Sequence, residues 1–499
     1  MADRLRTRRF PVLWQVNART TVRHLGPGAT LDDLDDAQLD RLLPVGVDWL
    51  YLLGVWQTGA AGREVSRRNP DIRRSCEEAL PDVRDDDICG SCFAVTGYQV
   101  HERLGGDAAL ARLRARLAAR GIALMLDFVP NHTAPDHPWV AAHPKRYITG
   151  TEADLDAAPG DWTEVATATG ERIVAYGRDP YFAGWPDTLQ LDYSRPKVRS
   201  AMTKALLTAA SHGDGLRCDM AMLLLPDVFE RTWGKTIEPF WPDALAAVRA
   251  EQPGFTFLAE VYWDREYDLQ QQGFDATYDK RLYDRLVGDL GSVRGHLQAD
   301  PGYQARSARF LENHDEPRAA ATFGVGDRHR AAAVISYLVP GLRFFEDGQP
   351  EAADIHVPVH LCRAPDEPLR NDLRGFYDQL LAVLADPVVH DGTWQLAEVT
   401  AAWDGNSSHE RIVAFTWSTA DGELRYLVAV NLADTPAQGY VHLGDAALAG
   451  RTVTLTDRLG AEHHERDGDE LRRSGLYLDV VPWAHPVFAV TSATHQIRT

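Results

Sequence analysis

Lysine is nearly missing from the 499 residues: it stands only at 145, 197, 204, 235 and 280, so arginine supplies most of the positive charge. That bias carries no functional message. Acid outweighs base, and the formal net charge of −20 sets up a field that repels phosphate backbones and anionic headgroups. Neither nucleic acid nor a membrane surface is an expected partner. Long hydrophobic runs are also absent, and the basic opening "MADRLRTRRF" leads into no apolar core of the sort a secretory signal uses. The chain reads as soluble and cytoplasmic. Cysteine is scarce and odd in number, at 76, 89, 92, 218 and 362, which argues against a disulfide framework. Cys89 and Cys92 form a CxxC, but no second pair and no histidines at metal spacing lie near it, so a zinc site is not expected. Internal repeats and low-complexity tracts are missing too.

What is present is a rhythm of short apolar runs, each followed by a longer helical pattern, as βα units of a parallel sheet require. The runs are 10–17, 47–54, 121–132, 215–220, 255–261, 274–279, 308–315 and 341–348, with helix-like stretches such as 106–120 and 194–211 between them. Eight strands alternating with helices predict a (β/α)8 TIM barrel. The competing doubly wound sheet lacks support, because no glycine-rich dinucleotide fingerprint follows the first strand. The connection from 133 to 192 is too long for a plain loop and predicts a small inserted subdomain after the third strand. After about residue 390 the texture turns to alternating strands such as "RIVAFTWS" and "LRYLVAVNL", which predicts a C-terminal all-β sandwich domain. The expected division is 1–132 and 193–390 for the barrel, 133–192 for the insertion and 391–499 for the sandwich.

In a closed barrel, polar residues at the C-terminal strand ends face one mouth. Here these are Asp127, Asn131 and His132 on the third strand, Arg217 and Asp219 on the fourth, Glu260 on the fifth, and His314 and Asp315 on the seventh. Each alone has an ordinary structural explanation as a cap or a satisfied core histidine. Together they gather charge that would be costly to bury without a task. Two carboxylates with opposed duties suit glycosidic cleavage, one protonating the leaving oxygen while the other meets the developing cation. Asp219, beside Arg217, should stay ionised and act as nucleophile; Glu260, in a drier setting, should be pushed up and act as acid/base.

The segments "DFVPNH", "GLRCDMAML", "FLAEVYWD" and "ENHDEPR", in that order, resemble the four signature regions of the α-amylase family, glycoside hydrolase family 13. The resemblance runs over essentially the whole chain. It implies a retaining double displacement, with Asp219 as nucleophile, Glu260 as acid/base and Asp315 stabilising the transition state. It also implies that Arg217 orients Asp219, that His132 and His314 bind hydroxyls of the reacting sugar, and that Asp127 is a supporting aspartate. The loop "GSCFAVTGY" resembles the segment whose aromatic stacks on that sugar, at Phe93 or alternatively Tyr98.

The sequence also departs from the family pattern. Where members that cut starch internally carry a Lys-His pair after the nucleophile segment, this chain has Met222 and Leu223, which points to small saccharides or glucosides. Gln190 stands where the family's calcium site has an aspartate beside the counterpart of Asn131, so no cofactor is expected and calcium is disfavoured. Glu346 and Asp347 add acid at the eighth strand end and are expected to be solvated. The covalent intermediate is shared by hydrolases, transglycosylases, phosphorylases and isomerases of the family, so water is the leading acceptor and other acceptors the alternative. A non-catalytic binding subunit is the remote alternative, and the presence of all three carboxylates speaks against it.

Overall fold

The eight apolar runs pair side by side in chain order. The computed structural model describes residues 8–494 apart from 369, 371 and 445–447. Strands β1 (Val12–Asn17), β2 (Trp49–Leu53), β3 (Ala123–Phe128), β4 (Gly215–Cys218), β5 (Thr256–Ala259), β6 (Ala276–Tyr278), β7 (Ser307–Arg309) and β8 (Leu342–Glu346) form a closed parallel barrel in which β8 returns to pair with β1. Covered on both faces, most of these strands are rich in apolar residues, and every residue of β2 is buried. Gly215 is required by close approach: a Cβ there would lie 2.9 Å from the Thr256 carbonyl oxygen and 3.0 Å from the Trp49 ring. Helix α1 (Gly106–Ala119) buries Ala109, Leu110, Leu113 and Leu117, a single stripe at helical spacing. Helix α2 (Pro196–Ser211) starts on a proline, whose missing N–H costs nothing in the first turn.

Two strands stop earlier than the sequence pattern suggests. β3 ends at Phe128, ahead of Pro130, which has no N–H to give a ladder. β7 ends at Arg309, and residues 310–315 run on as irregular chain. His132 therefore lies at the neck of the insertion, where His132–Thr133 pairs antiparallel with Leu189–Gln190. Between these two pairs lie a hairpin, Trp162–Thr167 with Gly170–Ala175, and short helices.

Beyond residue 392 the chain forms a six-stranded and a three-stranded antiparallel sheet. Alternation on the strand Ile412–Ser418 sends Val413, Phe415 and Trp417 into the same apolar core as the barrel, while Ile412 and Ala414 join a second core against the smaller sheet. Trp417 donates its ring N–H to the Leu338 carbonyl at 2.8 Å, fixing the larger sheet to the barrel.

Candidate active site

Arg217 is the residue around which the mouth is built. It lies on β4 in register with Asp127 of β3 and is fully buried. Its Nη1 donates to Asp219 Oδ1 at 2.8 Å, and its Nη2 lies 2.8 Å from Glu260 Oε2 and 3.8 Å from Asp315 Oδ2. Its Nε donates to the Tyr278 hydroxyl at 3.3 Å, and the guanidinium lies over the Phe93 ring, 5.2 Å from its centroid. The backbone fixes the partners: Asp219 N–H donates to the Phe128 carbonyl at 2.8 Å and Glu260 N–H to the Cys218 carbonyl at 3.0 Å.

The residue after Asp219 is strained. Met220 adopts φ 41°, the left-handed region that a side chain disfavours, and its N–H donates to Glu260 Oε2 at 2.6 Å. Tyr262 donates its hydroxyl to the other oxygen of Glu260 at 3.0 Å. Glu260 is thus held at both oxygens before any substrate arrives, which is the preorganisation an acid/base needs.

The electrostatics correct one expectation. Arg217 grips Glu260 as closely as it grips Asp219, so it cannot by itself keep one ionised and the other neutral. Burial and repulsion from Glu260 push Asp219 well up from the usual carboxylate range, against the pull of Arg217. Burial pushes Glu260 up as well, with Arg217 opposing and Asp315 adding to the rise. The two carboxylates titrate as a unit around one cation.

The histidines occupy different settings. His314 Nδ1 donates to Gln15 Oε1 at 3.0 Å, leaving Nε2 to face Arg217 Nη2 at 3.4 Å. Burial, then Arg217, hold it well below its ordinary value, so it is neutral. His132 is buried beside Trp185 of the insertion, and its Nε2 has no partner within the described residues. Burial lowers it to about 4, so it too is neutral and retains an unspent nitrogen.

Of the two aromatic candidates, Phe93 packs on His314 with ring centroids 5.4 Å apart and stays partly accessible. Tyr98 is committed elsewhere, correcting its assignment as a sugar contact. Its hydroxyl donates to the Val129 carbonyl at 3.0 Å and its ring stacks on Phe128. Asp127 does not face the mouth either: it is buried and accepts from the Tyr51 hydroxyl and from Gly54 N–H. It supports the strand ends. Met222 and Leu223 are buried in a turn of 3-10 helix, so they offer no polar group to a bound chain. Glu346 is not solvated as expected, because Arg318 draws it inward at 3.5 Å and its side chain is only 16% exposed. Asp347 remains exposed.

Several contributors escaped the sequence reading. Gln15 is a polar residue near the end of an apolar strand, and Tyr262 lies two positions past Glu260, so alternation on a strand end could have flagged both. His356, whose Nε2 donates to the His314 carbonyl at 2.8 Å, comes from a loop with no motif.

A calcium ion at the neck does not fit the residues present. Gln190 Nε2 lies 2.9 Å from Asn131 Oδ1, 3.1 Å from the Asn131 carbonyl and 3.1 Å from the Leu191 carbonyl. A hard cation would need those same oxygens, and an amide NH2 already occupies the space between them.

Residues 94–282 match the family described as alpha amylase, catalytic domain. Alpha-amylase 3 of Dictyoglomus thermophilum is 25% identical over 292 residues, covering 54% of this chain and 55% of that protein. An alpha-glucosidase of Culex pipiens is 30% identical over 292 residues, covering 49% of this chain and 50% of its own. The chain spans about half the length of the curated relatives it matches. Among solved structures, an alpha-amylase from Lactobacillus plantarum superposes with a TM-score of 0.65 at 20% identity, covering 98% of this chain and 99% of that one, a likeness of fold.

Proposed function

We propose that the chain, whose residues 94–282 match the family described as alpha amylase, catalytic domain, is a retaining glycoside hydrolase of the α-amylase family that cleaves α-glucosidic bonds of small saccharides or glucosides. The observation that carries this reading is the shared guanidinium: Arg217 holds Asp219 and Glu260 on neighbouring nitrogens, with Asp315 beside them. Asp219 attacks the anomeric carbon to give a glycosyl ester, while Glu260 gives its proton to the leaving oxygen and then takes one from the incoming water. Asp315, its side chain 40% exposed at the mouth, meets sugar hydroxyls as the ring flattens. His132 offers a ring nitrogen with no partner among the described residues, and Phe93 a partly accessible ring. Small substrates are favoured because Met222 and Leu223 are buried and apolar where a polymer would need a polar grip.

Proton NMR of the first-formed product from a panel of α-linked disaccharides and aryl α-glucosides tests the reading. Retention of the α configuration is expected, with Asp219→Asn lowering kcat at least about 10³-fold. Inversion, or full activity in that variant, would remove Asp219 from the mechanism. Phosphate and alcohols added to the same assay separate hydrolysis from transfer: acceleration by phosphate without free glucose would replace water as acceptor.

A further inference from the structure

Arg19 is a buried cation with no carboxylate partner among the described residues. Only 8% exposed, it forms no ion pair with any aspartate or glutamate among the described residues. Its Nη1 donates to the Gly90 carbonyl at 2.6 Å and to Cys89 Sγ at 3.3 Å, and its Nη2 to Thr58 Oγ1 at 3.2 Å. A buried guanidinium with no counter-ion is costly, and the sulfur of Cys89 is the one group in contact that can become an anion.

Cys89 also has a thiol neighbour from a distant part of the chain. The loop after β2 and the loop after β8 join in an antiparallel bridge, Ile88 with Leu361. Cys89 N–H donates to the His360 carbonyl at 2.8 Å and Cys362 N–H to the Asp87 carbonyl at 2.9 Å. Counting outward from the bridge puts Cys89 and Cys362 on one face of this small ladder, where the two thiols interact electrostatically; Cys89 Sγ donates to the His360 carbonyl at 3.4 Å and Cys362 Sγ to the Asp86 carbonyl at 3.5 Å. Arg363 fixes the register by gripping both oxygens of Asp87 at 3.0 and 2.8 Å. Both cysteines are free and partly accessible, whereas Cys76, Cys92 and Cys218 are buried.

We propose that Cys89 and Cys362 form a peroxide-reactive thiol pair, with Arg19 holding Cys89 as the attacking thiolate and Cys362 resolving the oxidised sulfur as a disulfide. The oxidant is hydrogen peroxide or an organic hydroperoxide. The Cys89 thiolate attacks the distal peroxide oxygen; an S–O bond forms, the O–O bond breaks, and the leaving oxygen takes a proton to depart as water or alcohol. The sulfur of Cys362 then attacks the sulfenic sulfur; the S–S bond forms, the S–O bond breaks, and hydroxide leaves with the Cys362 proton as water. Two thiols and one hydroperoxide give one disulfide, one alcohol or water, and one further water. The bond would tie the loop that carries Phe93 to the loop after β8. The thiol chemistry stands whether or not the saccharide reading does.

The thiol of Cys362 and, after it, Arg19 draw the Cys89 thiol down to about 6, against the rise that burial causes. Iodoacetamide labelling of Cys89 in the full chain, followed by peptide mapping across pH, is therefore expected to reach half its plateau rate near pH 6; half-maximal labelling near the ordinary ~8.5 would overturn the proposal. Stoichiometric hydrogen peroxide followed by non-reducing mapping should give a single Cys89–Cys362 linkage, reversed by dithiothreitol. Cys362→Ser should stop at a Cys89 sulfenic acid that dimedone captures, and Arg19→Gln should slow labelling at pH 6.5 at least about tenfold. A Cys89–Cys92 linkage, or sulfinic acid with no linkage in the unsubstituted chain, would refute the pairing.

Discussion

Arg217 carries one positive charge and has four carboxylates within 3.9 Å of its nitrogens: Asp127, Asp219, Glu260 and Asp315. One cation cannot neutralise four anions in a buried pocket, so the cluster retains protons that isolated carboxylates would lose by pH 5. Catalysis needs Asp219 charged and Glu260 protonated, and both are displaced upward. The acidic limb of kcat/KM should therefore lie above the ordinary aspartate value of about 3.9. Arg217→Gln removes the one stabilising cation, so that limb should move further up and kcat/KM should fall by at least about 10²-fold. A pH–rate profile of both proteins checks this, and an unmoved limb in the variant would show that Arg217 does not set the protonation of the pair. The carboxylates, Arg217 and His314 were legible in the sequence because each lies on or just past a strand end, where the fold itself dictates direction. Tyr98 and Glu346 were misjudged because their roles depend on partners far along the chain, Val129 for one and Arg318 for the other.

At the scale of elements, most strands were legible because a parallel barrel makes them rich in apolar residues on both faces; β7, Ser307-Ala308-Arg309, is the exception. Their ends were less so: Pro130 stops β3, and the "ENHD" run after β7 follows the site's needs instead of the ladder. The insertion was visible only as an overlong loop, since its hairpin and short helices have no strong periodicity. Its attachment rests on Gln190, which is fully buried and set among three oxygens. Thermal melting of the protein as it stands should be indifferent to EDTA and to added calcium. Gln190→Asp replaces the donors by a carboxylate facing other oxygens, which should cost about 3 kcal/mol when metal-free. Millimolar calcium should restore much of that loss. A melting temperature of the unsubstituted protein that falls in EDTA would mean that a cation, not the amide, closes the neck.

At the scale of the molecule, the barrel and the larger C-terminal sheet share one apolar core, with Trp417 buried at the junction against Phe10 and tied to Leu338. Trp417→Ala should destabilise by about 3–5 kcal/mol, and calorimetry should show the barrel's transition shifting with the sheet's. Two separate transitions, with the barrel unmoved, would show the sheet to be an independent passenger. The neck of the insertion is built on the opposite plan. The chain leaves the barrel at His132–Thr133 and comes back at Leu189–Gln190, and those two pairs lie side by side. Whatever is spliced between them, long or short, the barrel receives the same two strands at the same spacing. The shape of the mouth can thus be inherited, exchanged or grafted as one piece, while the charges that do the chemistry descend separately on β4, β5 and the segment after β7.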